Sequence, residues 1–210
     1  MQIPKSLLEG HWRFLRHRHA TQKGRYLQLA ELGQTPTAMV IACCDARVDV
    51  SAIFDAEPGA LFILRNIANL VPPYEPEGLY HGTSAAIEYA ALVLKVPHII
   101  VLGHSRCGGV MAHREGFGGK DTKSSFIGRW LTLLDDVEVS QNDIAEHSEG
   151  TAFELAGIRT SLSHLGSFPF IRDSQDAGMV SLHGLHFDIG SGRLLGLDKE
   201  TSHFITLDER

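Results

Sequence analysis

Along the first 34 residues apolar side chains recur at helical spacing, Leu7, Leu8, Trp12, Phe14 and Leu15, then Tyr26, Leu27, Leu29 and Leu32, with the polar stretch "HRHATQKG" between the two sets. The pattern predicts two amphipathic helices, separated at that stretch. From Ala38 it changes to short apolar runs without period, bounded by turn residues: "AMVIACC", "ALFILRN" after "EPG", and "PHIIVLGH". Such runs read as strands buried on both faces. Between the second and third lies "HGTSAAIEYAALVLKV", a helix with Ile87, Ala90, Ala91 and Leu94 on one face and Thr83 or Ser84 as its cap. Strand, helix and strand in that order make a right-handed crossover, which implies a parallel sheet flanked by helices. Residues 124–166 read as helices with polar interruptions, forming an outer layer. "MVSLHGLHFDIGSGRLLGLD" alternates in the strand manner around the turn "DIGSGR", a hairpin signal. No internal repeat, low-complexity segment or linker breaks the chain. The expectation is one α/β domain over residues 1–210: a central, mainly parallel sheet with flanking helices, an N-terminal helical arm over 1–34 and a C-terminal antiparallel hairpin.

Composition narrows the partners. The 210 residues are 43% hydrophobic, enough for a sizeable core. A formal net charge of -6 with scattered basic residues offers no cationic stripe for a phosphate backbone, so nucleic acid is not expected. No stretch approaches the roughly 20 apolar residues that span a bilayer, and the N-terminal stretch has no uninterrupted apolar segment of the kind a signal peptide carries. A cytoplasmic protein acting on a small solute, with no membrane partner, is the expectation. Three cysteines are too few, and odd in number, for a secreted disulfide framework; reduced thiols or metal thiolates remain.

Two of the three stand side by side in "VIACCDAR", residues 40–47, at the end of the first strand. The third closes "GHSRCGG" after the third strand, three residues beyond His104. In an open parallel sheet the residues just past the carboxyl ends of strands converge on one crevice, so Cys43 or Cys44 can meet His104 and Cys107. One nitrogen and two sulfur donors suit zinc, and three protein ligands with a fourth position open is the catalytic rather than the structural arrangement. Successive residues of an extended segment point to opposite sides, so one of the adjacent cysteines is a ligand and the other packs. The remaining histidines, among them His98, His183 and His186, have no ligand-like spacing to a cysteine and read as surface or core imidazoles.

These residues resemble the beta-class carbonic anhydrases, whose usual pattern is C-S-D-S-R after the first strand and H-S-x-C-G-G after the third; here the chain has "CCDAR" at 43–47 and "HSRCGG" at 104–109. "GQTPTAMVIACCDARV", "EPGALFILRNIANLVPPYEP", "GTSAAIEYAALVLKVPHIIVLGHSRCGG" and the late "LHGLHFDIGSGRLL" extend the likeness over nearly the whole chain. The resemblance implies a zinc enzyme that interconverts carbon dioxide and bicarbonate, with one zinc per chain on Cys43, His104 and Cys107 and zinc-bound hydroxide as nucleophile. It assigns Asp45 and Arg47 as the catalytic pair, the arginine orienting the carboxylate. It places Gln34, Phe62, Ile67, Tyr89 and Gly108 around the substrate, and implies a homodimer, or a higher oligomer built from dimers, clasped by the N-terminal arm. Cys44 and Ala46 replace serines of the common motif, removing two hydroxyls near the pair. Val40 stands where self-inhibiting members carry tryptophan, so Asp45 is expected on Arg47 rather than on the metal. Relatives that hydrolyse carbonyl sulfide or carbon disulfide, and a non-catalytic zinc or bicarbonate-binding module, are the alternatives.

Overall fold

The computed structural model describes residues 3–77, 81–116 and 125–207. Six strands form one sheet in the order β2-β1-β3-β4-β5-β6. β1 (Ala38–Cys43) lies between β2 (Leu61–Asn66) and β3 (His98–His104), and β4 (Ser181–Phe187) follows β3; all of these pairings are parallel. β5 (Leu194–Leu197) and β6 (Phe204–Thr206) add antiparallel pairings at the far edge. The hairpin thus continues the main sheet, its turn held by Asp188, whose Oδ1 accepts from the N–H and Oγ–H of Ser191.

Every residue of β1 is buried. Met39 and Ile41 enter the core on one face with Ile99 and Val101, while Val40 and Ala42 enter the other with Leu102. The period-2 alternation therefore feeds two cores, which explains the unbroken apolar runs. On the first face lies α8 (Glu149–Ser167), which packs across β3 and β4. It sits close because Gly103 and Gly184 leave room for Ile158; a Cβ on Gly103 would lie 2.6 Å from Ile158 Cδ1.

Several local expectations need correction. The polar stretch 17–24 does hold the break between two helices, but the break is narrow: α1 (Lys5–Phe14) runs on through a π turn at Leu15–His19, and the chain leaves the helix only at Gln22, before α2 (Lys23–Leu32). Exposed Arg, Gln and Lys are compatible with helix, so loss of apolar periodicity did not mean loss of helix. Neither Thr83 nor Ser84 caps α4 (Gly82–Glu88), whose N-cap is His81 with no side-chain cap. The short α3 (Val50–Ile53), the helix α9 (Pro169–Asp176) and β6 were not anticipated. Helices α5 (Gly108–Arg114), α6 (Phe126–Leu131) and α7 (Gln141–Glu146) complete the chain.

Candidate metal centre

Cys43 is the last residue of β1 and His104 the last of β3, the two strands being neighbours. Arg106 adopts a left-handed φ of 55°, which turns the chain within three residues so that Cys107, the N-cap of α5, faces back to His104. The donor atoms of Cys43, His104 and Cys107 all lie within 4.8 Å of one another, and all three residues are buried. Cys44, one residue on, is exposed, as the alternation of an extended segment requires.

The donor chemistry fits a zinc ion. His104 Nδ1 meets the Ser105 carbonyl at 3.0 Å, so this nitrogen carries the proton, leaving the Nε2 lone pair free. Nε2 is buried and has no hydrogen-bond partner. The two sulfurs stand 3.9 Å apart. The hydrogen bond from the Cys107 thiol pulls Cys43 down to about 4, and the same contact pushes Cys107 up. Of the two thiols, Cys43 is the one that gives up its proton more readily, and a metal binding both would displace the proton of Cys107. The N–H of Ala68 donates to Cys43 Sγ at 3.4 Å from a left-handed position, φ 61°.

Beside the ligands Asp45 is gripped by Arg47, whose Nε and Nη2 donate to Oδ1 at 2.9 Å and Oδ2 at 2.7 Å while its backbone N–H donates to Oδ1 at 3.0 Å. The guanidinium holds the Asp45 carboxyl well below the usual carboxylate range. Asp45 Oδ2 is 3.9 Å from His104 Nε2, so the pair overlooks the position where the three donors meet. Arg47 Nη2 also donates to the Arg106 carbonyl at 2.9 Å, tying the loop after β1 to the loop after β3.

A family model described as carbonic anhydrase matches residues 38–194, three quarters of the chain. The chain belongs to the beta-class carbonic anhydrase family. Beta carbonic anhydrase 3 of Arabidopsis thaliana is 36% identical over 174 residues, which are 80% of this chain and 66% of that protein, just under two thirds of its length. The structure of the beta-carbonic anhydrase CcaA superposes with a TM-score of 0.81 at 29% identity, covering 98% of this chain and 92% of that one. A tetrameric beta-carbonic anhydrase from the ascomycete Sordaria macrospora gives 0.73 at 30%, covering 91% and 95%.

Not every pocket residue suggested by the beta-carbonic anhydrase pattern lies beside the three donors. Gly108 follows Cys107 directly, and Ile67 lies against Gly109, where a Cβ would come within 2.8 Å of Ile67 Cγ2. Ile67 also lines a groove of about 670 Å³ with Cys44, Pro72, Thr83, Phe126 and Trp130. Gln34, Phe62 and Tyr89 belong to the other end of the strands. Phe62 pairs with Met39, four residues before Cys43, which at about 3.3 Å per residue is roughly 13 Å away. Tyr89 packs on Phe62 with ring centroids 5.8 Å apart, and Gln34 precedes the start of β1.

Sequence reasoning missed the residues that brace the site. Arg65 donates to the carbonyls of Cys43 (2.9 Å), Asp45 (2.7 Å) and Val48 (2.7 Å), clamping the loop that carries the Asp45–Arg47 pair. Trp130 Nε1 donates to the Ile67 carbonyl at 2.8 Å. Glu154 of α8 accepts from the Cys107 N–H at 3.0 Å and from His186 Nε2 at 2.9 Å. A charge inside an apolar run, as in "ILRN" and "FELAGI", is the sequence signal that marks Arg65 and Glu154.

Proposed function

We propose that this chain catalyses the reversible hydration of carbon dioxide to bicarbonate and a proton, with zinc held by Cys43, His104 and Cys107. The observation that carries this reading is the buried, partnerless His104 Nε2 facing two cysteine sulfurs with a fixed carboxylate alongside. Zinc, when bound, supplies a Lewis acid that makes water acidic enough to react near neutral pH. Asp45, kept ionised and aimed by Arg47, accepts a hydrogen bond from the attacking water and turns its lone pair towards the carbon. Ile67 and the apolar groove beside it suit an apolar, linear substrate, while Gly108 offers backbone next to the metal position.

The pocket is completed by a second copy of the chain, which brings Gln34, Phe62 and Tyr89. Three features support a homodimer, alone or as the unit of a larger oligomer. Leu7, Trp12, Leu15 and Leu27 of the arm are each at least 43% exposed, and apolar groups around edge strand β2 are exposed too, including Ile63, Tyr89 and Val93 at 37%, 44% and 60%. Residues 1–34 carry six Lys or Arg against two Glu, whereas the chain as a whole is at -6, so arm and body attract. One sheet containing all six strands of the described residues supports a single domain. Among the described residues no helix is long and apolar enough to cross a membrane; three reduced cysteines favour a cytoplasmic setting.

Zinc content and hydration rate measured on the same sample test this reading. One zinc per chain with rapid hydration is expected, and Cys107→Ser should lose both. Full zinc occupancy and wild-type turnover in that variant would refute the ligand set.

A further inference from the structure

Glu154 and His186 lie in the core, their side chains 3% and 2% exposed. On the same face of α8 lie the buried Gly157, Ile158 and Ser161, so Glu154 is the one charged group buried along that helix. A carboxylate in such a place is unfavourable compared with an apolar side chain of the same volume, unless its hydrogen bonds do something the fold requires. One of its two bonds reaches the metal centre and the other holds the carboxylate in place. Oε2 accepts from His186 Nε2 at 2.9 Å, which fixes the carboxylate, and Oε1 accepts from the backbone N–H of Cys107 at 3.0 Å. Glu154, His104 and Cys107 line the same pocket, and at 3.0 Å the contact from Cys107 to Glu154 is direct.

Cys107 needs this support. It follows Arg106 at φ 55° and is itself extended, at φ -65° and ψ 119°, as the N-cap of a seven-residue helix. The N–H of an N-cap residue points away from its helix, and here the acceptor comes from α8, 47 residues further along the chain. We propose that Glu154, oriented by His186, is a positioning residue of the metal centre: it sets the Cys107 backbone, and so the direction in which the Cys107 sulfur meets the metal. This rests on the zinc reading above and adds residues outside the ligand set.

The test uses full-length wild type, Glu154→Ala, Glu154→Gln and His186→Val. Zinc affinity is read by chelator competition, and ligand geometry by the sulfur-to-cobalt charge-transfer band of the cobalt-substituted protein. Glu154→Ala should bind zinc about 10–100-fold more weakly, the range found when groups behind metal ligands are removed, with an altered cobalt band. Glu154→Gln keeps an oxygen for the Cys107 amide and should fall closer to wild type than to alanine. His186→Val should weaken binding in the same direction by less. A folded Glu154→Ala protein with wild-type zinc affinity and cobalt spectrum would overturn the proposal. Should that variant fail to fold, a wild-type spectrum and affinity in His186→Val would do so. A wild-type chain that binds neither zinc nor cobalt would overturn the metal reading itself.

Discussion

Three hydrogen bonds from one arginine leave Asp45 little freedom, and the geometry belongs to its ionised form, which accepts at both oxygens. Asp45→Asn retains an acceptor for Arg47 but presents an amide where the reaction needs a second one. We expect unchanged zinc content and a hydration rate lower by about 10²-fold, the lower end of what a positioned proton-handling group contributes. An unchanged rate would reduce the pair to a structural ion bridge. The sulfurs yield a second expectation. Because the thiolate at Cys43 pushes the Cys107 thiol up, zinc must displace a proton, and protons compete with the metal. The zinc dissociation constant should therefore rise as pH falls through the neutral range, by up to about tenfold per pH unit for one proton released; competition titrations at several pH values check the slope. At this scale the sequence was informative where chemistry is contiguous: "CCDAR" and "HSRCGG" display ligands and carboxylate together. Glu154 stood out only as a charge inside an apolar run and His186 not at all; neither could be tied to the site, because Glu154 meets Cys107, and His186 meets Glu154, through contacts formed only on packing.

Neighbouring parallel strands that end together are what bring Cys43 to His104, and the helix behind them is seated by two small residues. Ile158 rests over Gly103 of β3 and Gly184 of β4 and lies one helical turn from Glu154. Gly103→Ala would drive a methyl to within 2.6 Å of Ile158 Cδ1 and 2.9 Å of its Cγ1. Lifting α8 to relieve this should cost about 1–3 kcal/mol, the usual range for overpacking, visible as a lower denaturant midpoint at unchanged m-value. Unbroken apolar runs made β1, β2 and β3 readable as strands without any three-dimensional knowledge, but the expectation of burial on both faces fails for β2, which lies at the sheet edge with no residue buried in the chain. β6 is three residues long, two of them exposed, and α9 depends on Pro169 at its first turn rather than on a long apolar period, so neither gave a pattern to read. The arm's two helices meet in its polar middle as the pattern implied, though most of that stretch is itself helical; with no residue of α1 or α2 buried in the chain, the helix there does not depend on an apolar stripe.

For the molecule as a whole, the sheet and both cores were legible, since they follow from alternation and strand order. The distribution of the pocket was not, because residues close in the motif pattern can serve different sites. Gln34 precedes β1, whose far end carries Cys43, and Phe62 lies near the start of the neighbouring β2. If each pocket draws on both partners, the two halves of the machinery are separable between chains. A Cys107→Ser chain still carries an intact Gln34, and a Gln34→Ala chain still carries intact metal ligands. Each is inactive by itself, yet unfolding and refolding them together in equal amounts should produce hybrids with one wholly undamaged pocket. Random pairing then restores about one quarter of the wild-type activity from two dead parents, half of the dimers being hybrid and each hybrid having one of its two pockets whole.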